Sequence, residues 1–396
     1  MKKLLLFIAL ISLVSFVNAQ WESTNCPSNG HKQVGCLVMH GSYVFVGIYS
    51  VGVFLSTDNG TSWTTVNNGL PASLSVTSLA MSGNNIFAGT LSNGVYLSTN
   101  NGTSWTAVNN GLPSNPFVSS FVVNGNNIFA GIDGDSVYLS TNNGTSWTAV
   151  SNGLPVSNIR TLATSGNNIF AGIDDVGVYL STNNGTSWTS VNNGLSSANS
   201  SFKLFADDNN VFTVTGDTVF LSSNNGANWN ATNGNGLPIG GIGSLAISGN
   251  NIFATSSNGV YLSSDNANSW TAENAGLLSD TLVSAITIGQ NDVFVLTSTG
   301  MVYKRPLSDF AGIDEINGNN RIAVYPNPAS NSITLVNTAQ TKDDVLSIYN
   351  TQGQLILQQQ VRQEKTDIDI SDLAKGIYIL KLNSNEKTEV TRFVKE

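Results

Sequence analysis

The chain of 396 residues is short of charge: Asp, Glu, Lys and Arg together make up 10% of it. The shortage is sharpest for cations. From Gln20 to Arg305 the basic residues are Lys32, Arg160, Lys203, Lys304 and Arg305, against thirteen carboxylates, for a net charge of −8. A nucleic-acid surface needs clustered cations to displace phosphate counterions, so that class of partner is excluded. Histidine is limited to His31 and His40, and cysteine to Cys26 and Cys36. HExxH, CxxC, GxxxxGK[ST] and GxSxG are all absent, which removes zinc-protease, dithiol, P-loop and serine-hydrolase chemistry. Beyond residue 19 no apolar run approaches the roughly 20 residues that a membrane-spanning helix needs.

The first nineteen residues read as an export signal. Lys2 and Lys3 precede the apolar run Leu4 to Phe16, and Val17-Asn18-Ala19 supplies small-residue cleavage chemistry. The mature chain is expected to begin near Gln20 and to leave the cytoplasm. In an exported chain the closely spaced Cys26 and Cys36 predict a disulfide, contributing about 2–3 kcal/mol through its short loop.

What the sequence has in quantity is repetition. Trp21, Trp63, Trp105, Trp147, Trp188, Trp229 and Trp270 are spaced by 42, 42, 42, 41, 41 and 41 residues. Between them, each unit carries four strand-length segments separated by Gly and Asn; in one unit these are VTSLAMS, NNIFAGT, GVYLST and SWTAV. Four strands at a period just above 40 predict a β-propeller. Six units are complete. A seventh, Leu282 to Arg305, lacks its fourth strand, whereas QWESTN at the mature N-terminus is a fourth strand with nothing before it. The expected fold is therefore all-β: a seven-bladed β-propeller over residues 20–305, closed by an N-terminal strand that removes free sheet edges.

The recurring hairpin STDNGTSW, Ser56 to Trp63, resembles the Asp-box or BNR repeat, with further copies from Ser98, Ser140, Ser181, Ser222 and Ser263. Asp58 and Asp265 keep the acid; Asn100, Asn142, Asn183 and Asn224 replace it, and Ala267 replaces the turn Gly in the last copy. Either side chain can accept backbone N–H bonds within the hairpin. Trp63, Trp105, Trp147, Trp188, Trp229 and Trp270 are expected to pack between neighbouring blades. The resemblance implies that the hairpins lie on the face opposite the ligand site. The repeated stretch is thus a building part, and that also accounts for its Asn-Gly-Thr triplets.

Past a linker at 306–322, residues 323–396 carry alternating apolar residues, an Asn-Thr-Gln-Gly turn at 350–353, and nine basic against nine acidic side chains from Arg321 on. They predict a small immunoglobulin-like β-sandwich. Tyr325-Pro-Asn-Pro328, DLAKGIYILKL (Asp372–Leu382) and the closing VTRFVKE resemble the type A C-terminal sorting domain of the type IX secretion system. That implies a Bacteroidota-type export route, secretion machinery as partner, and a secreted or outer-surface location.

Asp-box propellers include sialidases, but three arginines are needed to clamp a sialic carboxylate, and the ring offers Arg160 and Arg305. Related repeats in xyloglucan-degrading hydrolases use two propellers, and this chain has room for one. The Asp-box propellers of photosystem II assembly are a weaker comparison, since export and the tail argue against that role. The ring's two glutamates, Glu22 and Glu273, fall in outer strands, and His40 falls in a turn. One irregularity remains. The loops joining second and third strands carry Asp133 and Asp135, Asp174 and Asp175, and Asp217 in three successive units. Oxygen donors so placed suit Ca²⁺ or a cationic partner; a solvated acidic rim is the plainer account. Tyr49 and Phe117 lie in loops on that same face, where an aromatic can stack on a sugar. The expected function is non-enzymatic binding of a glycan, protein or matrix component, with no resident cofactor. The alternative is a degenerate or atypical carbohydrate-active enzyme using the acidic cluster.

Overall fold

The computed structural model describes residues 19–26, 35–195, 202–207, 210–238, 241–278, 281–310, 322–325, 329–337, 344–350, 354–363, 365–383 and 388–395. The expected signal peptide (but for Ala19), His31, Pro326–Pro328, residues 311–321 of the linker and turn residues 351–353 lie outside them. The chain divides into two compact units, one ending at Phe310 and the other beginning at Ala311.

Among the described residues, the first unit holds seven four-stranded antiparallel sheets. Sheet I runs Cys36–His40, Tyr43–Ile48, Gly52–Ser56 and Thr64–Thr65; sheets II to VI repeat the order from inner strands Val76–Ser82, Val118–Asn124, Ile159–Ser165, Lys203–Ala206 and Ile242–Ser248. Sheet VII joins Val283–Ile288, Asp292–Thr297 and Val302–Pro306 to Glu22–Ser23, which pairs Glu22 with Lys304 and Ser23 with Tyr303. The inner strands touch in sequence, I to VII, and the inner strand of VII meets that of I. Second strands such as Asn85–Thr90 are buried on both faces, because each sheet is covered on two sides by its neighbours. Their Val, Ile and Phe side chains form six packed layers between sheets I and VII and a seventh closing the circle.

Tryptophan stitches the layers. The indole N–H of Trp105 donates to Val66 O of the preceding sheet at 2.7 Å, and Trp147, Trp188 and Trp229 repeat the bond to Val108, Val150 and Val191. Trp21 makes the equivalent bond to Glu273 O and Trp63 to Thr24 O, so the N-terminal strand is tied on both sides. Trp270 is the exception and donates to Ala267 O of its own hairpin.

Two expectations are corrected. Cys26 and Cys36 are free thiols. Strand alternation explains why: Leu37 and Met39 face the layer that holds Cys26, whereas Cys36 and Val38 face the layer on the other side of sheet I. Burial pushes both thiols up to about 12. The expected linker also starts later. The short 3-10 turn Leu307–Phe310 is docked, with Phe310 edge-on to Phe253 at 4.9 Å and beneath the Arg305 guanidinium at 4.2 Å.

In the second unit, a three-stranded sheet (Ile322–Tyr325, Ser332–Asn337, Lys365–Asp369) faces a four-stranded one (Leu355–Gln360, Val345–Asn350, Gly376–Asn383, Thr388–Lys395). One core joins them, built from Ile333, Leu335, Leu346, Ile348, Leu380, Leu382 and Phe393 among others.

Candidate functional site at the mouth of the ring

Antiparallel order puts the turns after first and third strands at one end of every sheet, and those after second and fourth strands at the other. At the first end the repeated hairpins are internally satisfied. Ser98 Oγ donates to Asn100 Oδ1 at 2.9 Å and accepts from Gly102 N at 2.8 Å, while Asn100 Oδ1 accepts from Ser104 N at 3.0 Å. Asn101 and Gly102 both take left-handed angles, φ 53° and 80°. The pattern holds from Ser56 to Ser263, and Ala267 is forced to φ 66° where the other copies have Gly. The serine hydroxyl and the Asp or Asn oxygen of this motif are thus committed to their own turn.

The other end differs. A β-bulge between Ile159 and Thr161 leaves Arg160 without a cross-strand partner, the kind of irregularity that re-aims a side chain. Its counterparts Thr77 and Ser119 each donate to the carbonyl of the next sheet, at Val118 and Ile159. Lys203 Nζ does the same to Ile242 O and Gly243 O, at 2.9 and 3.1 Å. Arg160 departs from this pattern: it forks onto Asp174, with Nη2 to Oδ2 at 2.7 Å and Nε to the two oxygens at 3.0 and 3.3 Å, and its side chain stays 44% exposed. Sequence reading counted Arg160 and Lys203 only as too few for a sialidase. Their signal was scarcity, two cations at the same place in adjacent inner strands of an acidic ring.

The charges act on one another across sheets. Burial raises the Asp133 carboxyl above its usual range, with Arg160 opposing and Asp174 adding to the rise. Asp133 Oδ1 is enclosed and has no hydrogen-bond partner. Burial lowers Lys203, and Arg160 lowers it further. The Tyr49 phenol is raised by burial and by Cys36, while Arg160 pulls it down. Thus side chains from sheets I, III, IV and V all sense the Arg160 guanidinium.

The remaining expected site residues are dispersed. Asp135 accepts from the Tyr138 hydroxyl at 3.0 Å, which together with burial pushes that phenol up to about 12. Asp217 accepts from Gly241 N at 2.7 Å, and Asp175 is an exposed turn residue at φ 61°. Phe117 is half-buried, and its carbonyl receives the Asp133 N–H at 2.9 Å. Among the described residues no group of three or more His, Cys, Asp or Glu side chains is placed to hold a metal ion. Arg305 is tied up elsewhere, between Glu273 at 2.9 Å and Asp309 at 3.3 Å.

Residues 323–396 match the family model of the secretion system C-terminal sorting domain. The tail is a type IX sorting domain. It implies export to the cell surface or secretion, and among the described residues no helix is long and apolar enough to cross a membrane. Residues 19–173 match the DUF6242 beta propeller domain, a stretch that includes the closing strand and reaches into sheet IV. No curated protein matches by sequence. Among solved structures, YCF48 from Cyanidioschyzon merolae is similar at TM-score 0.57 and 15% identity, over 72% of this chain and 98% of that one. PorZ, described as an essential surface component of the type-IX secretion system of Porphyromonas gingivalis, aligns at TM-score 0.54 and 15% identity, over 92% of this chain and 59% of that one. The GH74 xyloglucanase of Xanthomonas campestris aligns at 0.57 and 16%, over 74% and 54%. These likenesses establish a propeller fold, and the chain spans little more than half of the latter two proteins.

Proposed function

We propose that the seven sheets form one seven-bladed ring of Asp-box type, that the tail is an immunoglobulin-like sandwich addressed to the type IX machinery, and that the exported ring is a non-enzymatic binding module for a glycan, protein or matrix component. One asymmetry carries the reading. The large apolar side chains of the ring that stand exposed, Leu91, Val156, Leu278 and Leu282, all lie in loops at the end that holds Arg160. Leu278 and Leu282 also border an open cleft of about 210 Å³. Exposed apolar side chains beside unspent polar groups mark an interaction face, whereas the hairpin end is polar and self-satisfied.

The full chain, probed on an array of glycans and purified extracellular matrix proteins, should lose its strongest signal when Val156→Asp and Leu278→Asp are combined. It should keep that signal with Thr103→Asp on the hairpin end. The reverse pattern would overturn the assignment of the face. A second reading, an atypical carbohydrate-active enzyme, is favoured by one observation: burial raises the Asp133 carboxyl, and the charge of Asp174 adds to the rise. That reading requires glycan turnover that Asp133→Asn abolishes.

A further inference from the structure

The two sheets of the tail share one core, so each keeps an outer face, and strand alternation says which side chains lie there. In the three-stranded sheet Ile333 and Leu335 fill the core, which turns Ser332 and Thr334 outward, opposite Asp369 and Asp367. Thr334 Oγ1 donates to Asp367 Oδ1 at 2.6 Å, and Asp369 Oδ1 accepts from Ser371 N at 2.9 Å. That outer face is polar, and its carboxylates are bonded within the domain.

The four-stranded sheet is the reverse. Leu346, Ile348, Leu380 and Leu382 fill the core, so Tyr349 and Ile379, which pair with each other, face outward. Leu355 joins them from the edge strand as the partner of Tyr349. Ile377, two residues before Ile379 and hence on the same face, pairs with Val394. These side chains form one apolar patch, with Leu355 50% and Ile377 44% exposed. Among the described residues, the outward positions of Leu355–Gln360, Val345–Asn350 and Gly376–Asn383 carry one charge, Lys381, and no carboxylate.

The core is complete on the other side of this sheet, so the patch adds nothing to it; contiguous exposed apolar surface marks an interaction site. Charge narrows the occupant. In a two-fold contact between copies of this face, Lys381 would find no carboxylate to answer it. One cation is also too few to hold an anionic lipid surface. The remaining candidate is a foreign protein, and residues 323–396 match a domain whose role is to be sorted. We propose that the type IX machinery holds the tail by this face, setting apolar side chains over Leu355, Tyr349, Ile379, Ile377 and Val394 and a carboxylate opposite Lys381. This rests on the reading of the tail as an address to that machinery, and it assigns the address to one face.

The test follows the full chain in the cells that produce it, comparing the periplasmic fraction with the surface and medium. Leu355→Glu combined with Ile377→Glu should lower the exported fraction about tenfold or more, as expected when buried apolar contacts are lost. Lys381→Glu should lower it as well. Lys365→Glu, exposed on the other sheet, makes the same change in net charge and should leave export unchanged. Melting curves of the purified chains verify folding; if the glutamates unfold the tail, Leu355→Thr with Ile377→Thr, which suits a strand, should give the same loss. Normal export of the folded double variant, or equal loss with Lys365→Glu, would overturn the proposal. So would sedimentation showing a dimer that the double variant dissolves, which would give the face to a second copy. Retention of the unaltered chain in the periplasm would instead overturn the sorting assignment beneath it.

Discussion

At the scale of single residues, the hairpin acid explains why Asp and Asn interchange. Ser62 Oγ donates to Asp58 Oδ2 at 2.6 Å, whereas Asn100 Nδ2 donates to Ser104 Oγ at 3.0 Å. The serine hydroxyl works in either direction, so the contact survives with its polarity reversed. Charge leaves one trace. The Ser62 hydroxyl and backbone, then Ser56, hold the Asp58 carboxyl down from 3.8 to about 2. A carboxyl lowered by folding contributes stability above its unfolded value and loses it as pH falls through the folded one. Asp58→Asn should therefore leave Tm at neutral pH nearly unchanged and flatten its decline between pH 4 and 2, as melting across that range would show. Asp133 has the opposite sign. Its carboxyl is raised by burial, so stability falls as pH climbs from the unfolded toward the folded value, and the deficit persists at neutral pH. Asp133→Asn should raise Tm at pH 7, with the gain shrinking toward pH 3. A stability cost retained at one position is what a binding residue shows. Sequence pattern flagged Asp133 among five acids but could not single it out, because which carboxyl is desolvated is decided by the folded loops and not by residue type.

At the scale of elements, the hairpins hold the outer strands, each of which is two residues long, such as Thr106–Ala107. So short a strand has too little ladder to persist alone and depends on the turn before it and the indole after it. Ser98 is the pivot, fully buried and bonded to both Asn100 and Gly102. Ser98→Ala leaves the Gly102 N–H enclosed without an acceptor and should cost about 1–3 kcal/mol in urea unfolding. Thr103→Ala, exposed in the same turn, should cost nothing measurable. This level was the most legible in sequence, since period, turn residues and tryptophan spacing all arise from contacts within one repeat and its neighbour. The disulfide expectation failed at the same level. Proximity in sequence does not reveal which face of a strand a side chain takes, and Cys36 sits one position out of phase with the layer that holds Cys26.

At the scale of the molecule, the placement of every face follows from closure. Trp21 N donates to Ala275 O at 2.7 Å and Thr24 N to Val302 O at 2.9 Å, so the N-terminal strand bonds sheet VI through its tryptophan and sheet VII through its ladder. The incomplete first and last units made this legible before any coordinates. The mouth was not, because Arg160, Asp133, Lys203 and Tyr49 belong to four different sheets, and the charge of Arg160 reaches the other three only across sheets. Hydrogen–deuterium exchange of the full chain tests the closure most directly. The amides of Trp21 and Thr24 should exchange slowly, in step with those of Val302–Arg305. Exchange of residues 20–26 at the rate of an unstructured segment, while the strands of sheet VII stay protected, would contradict the closed ring and with it the division into a structural end and a binding end.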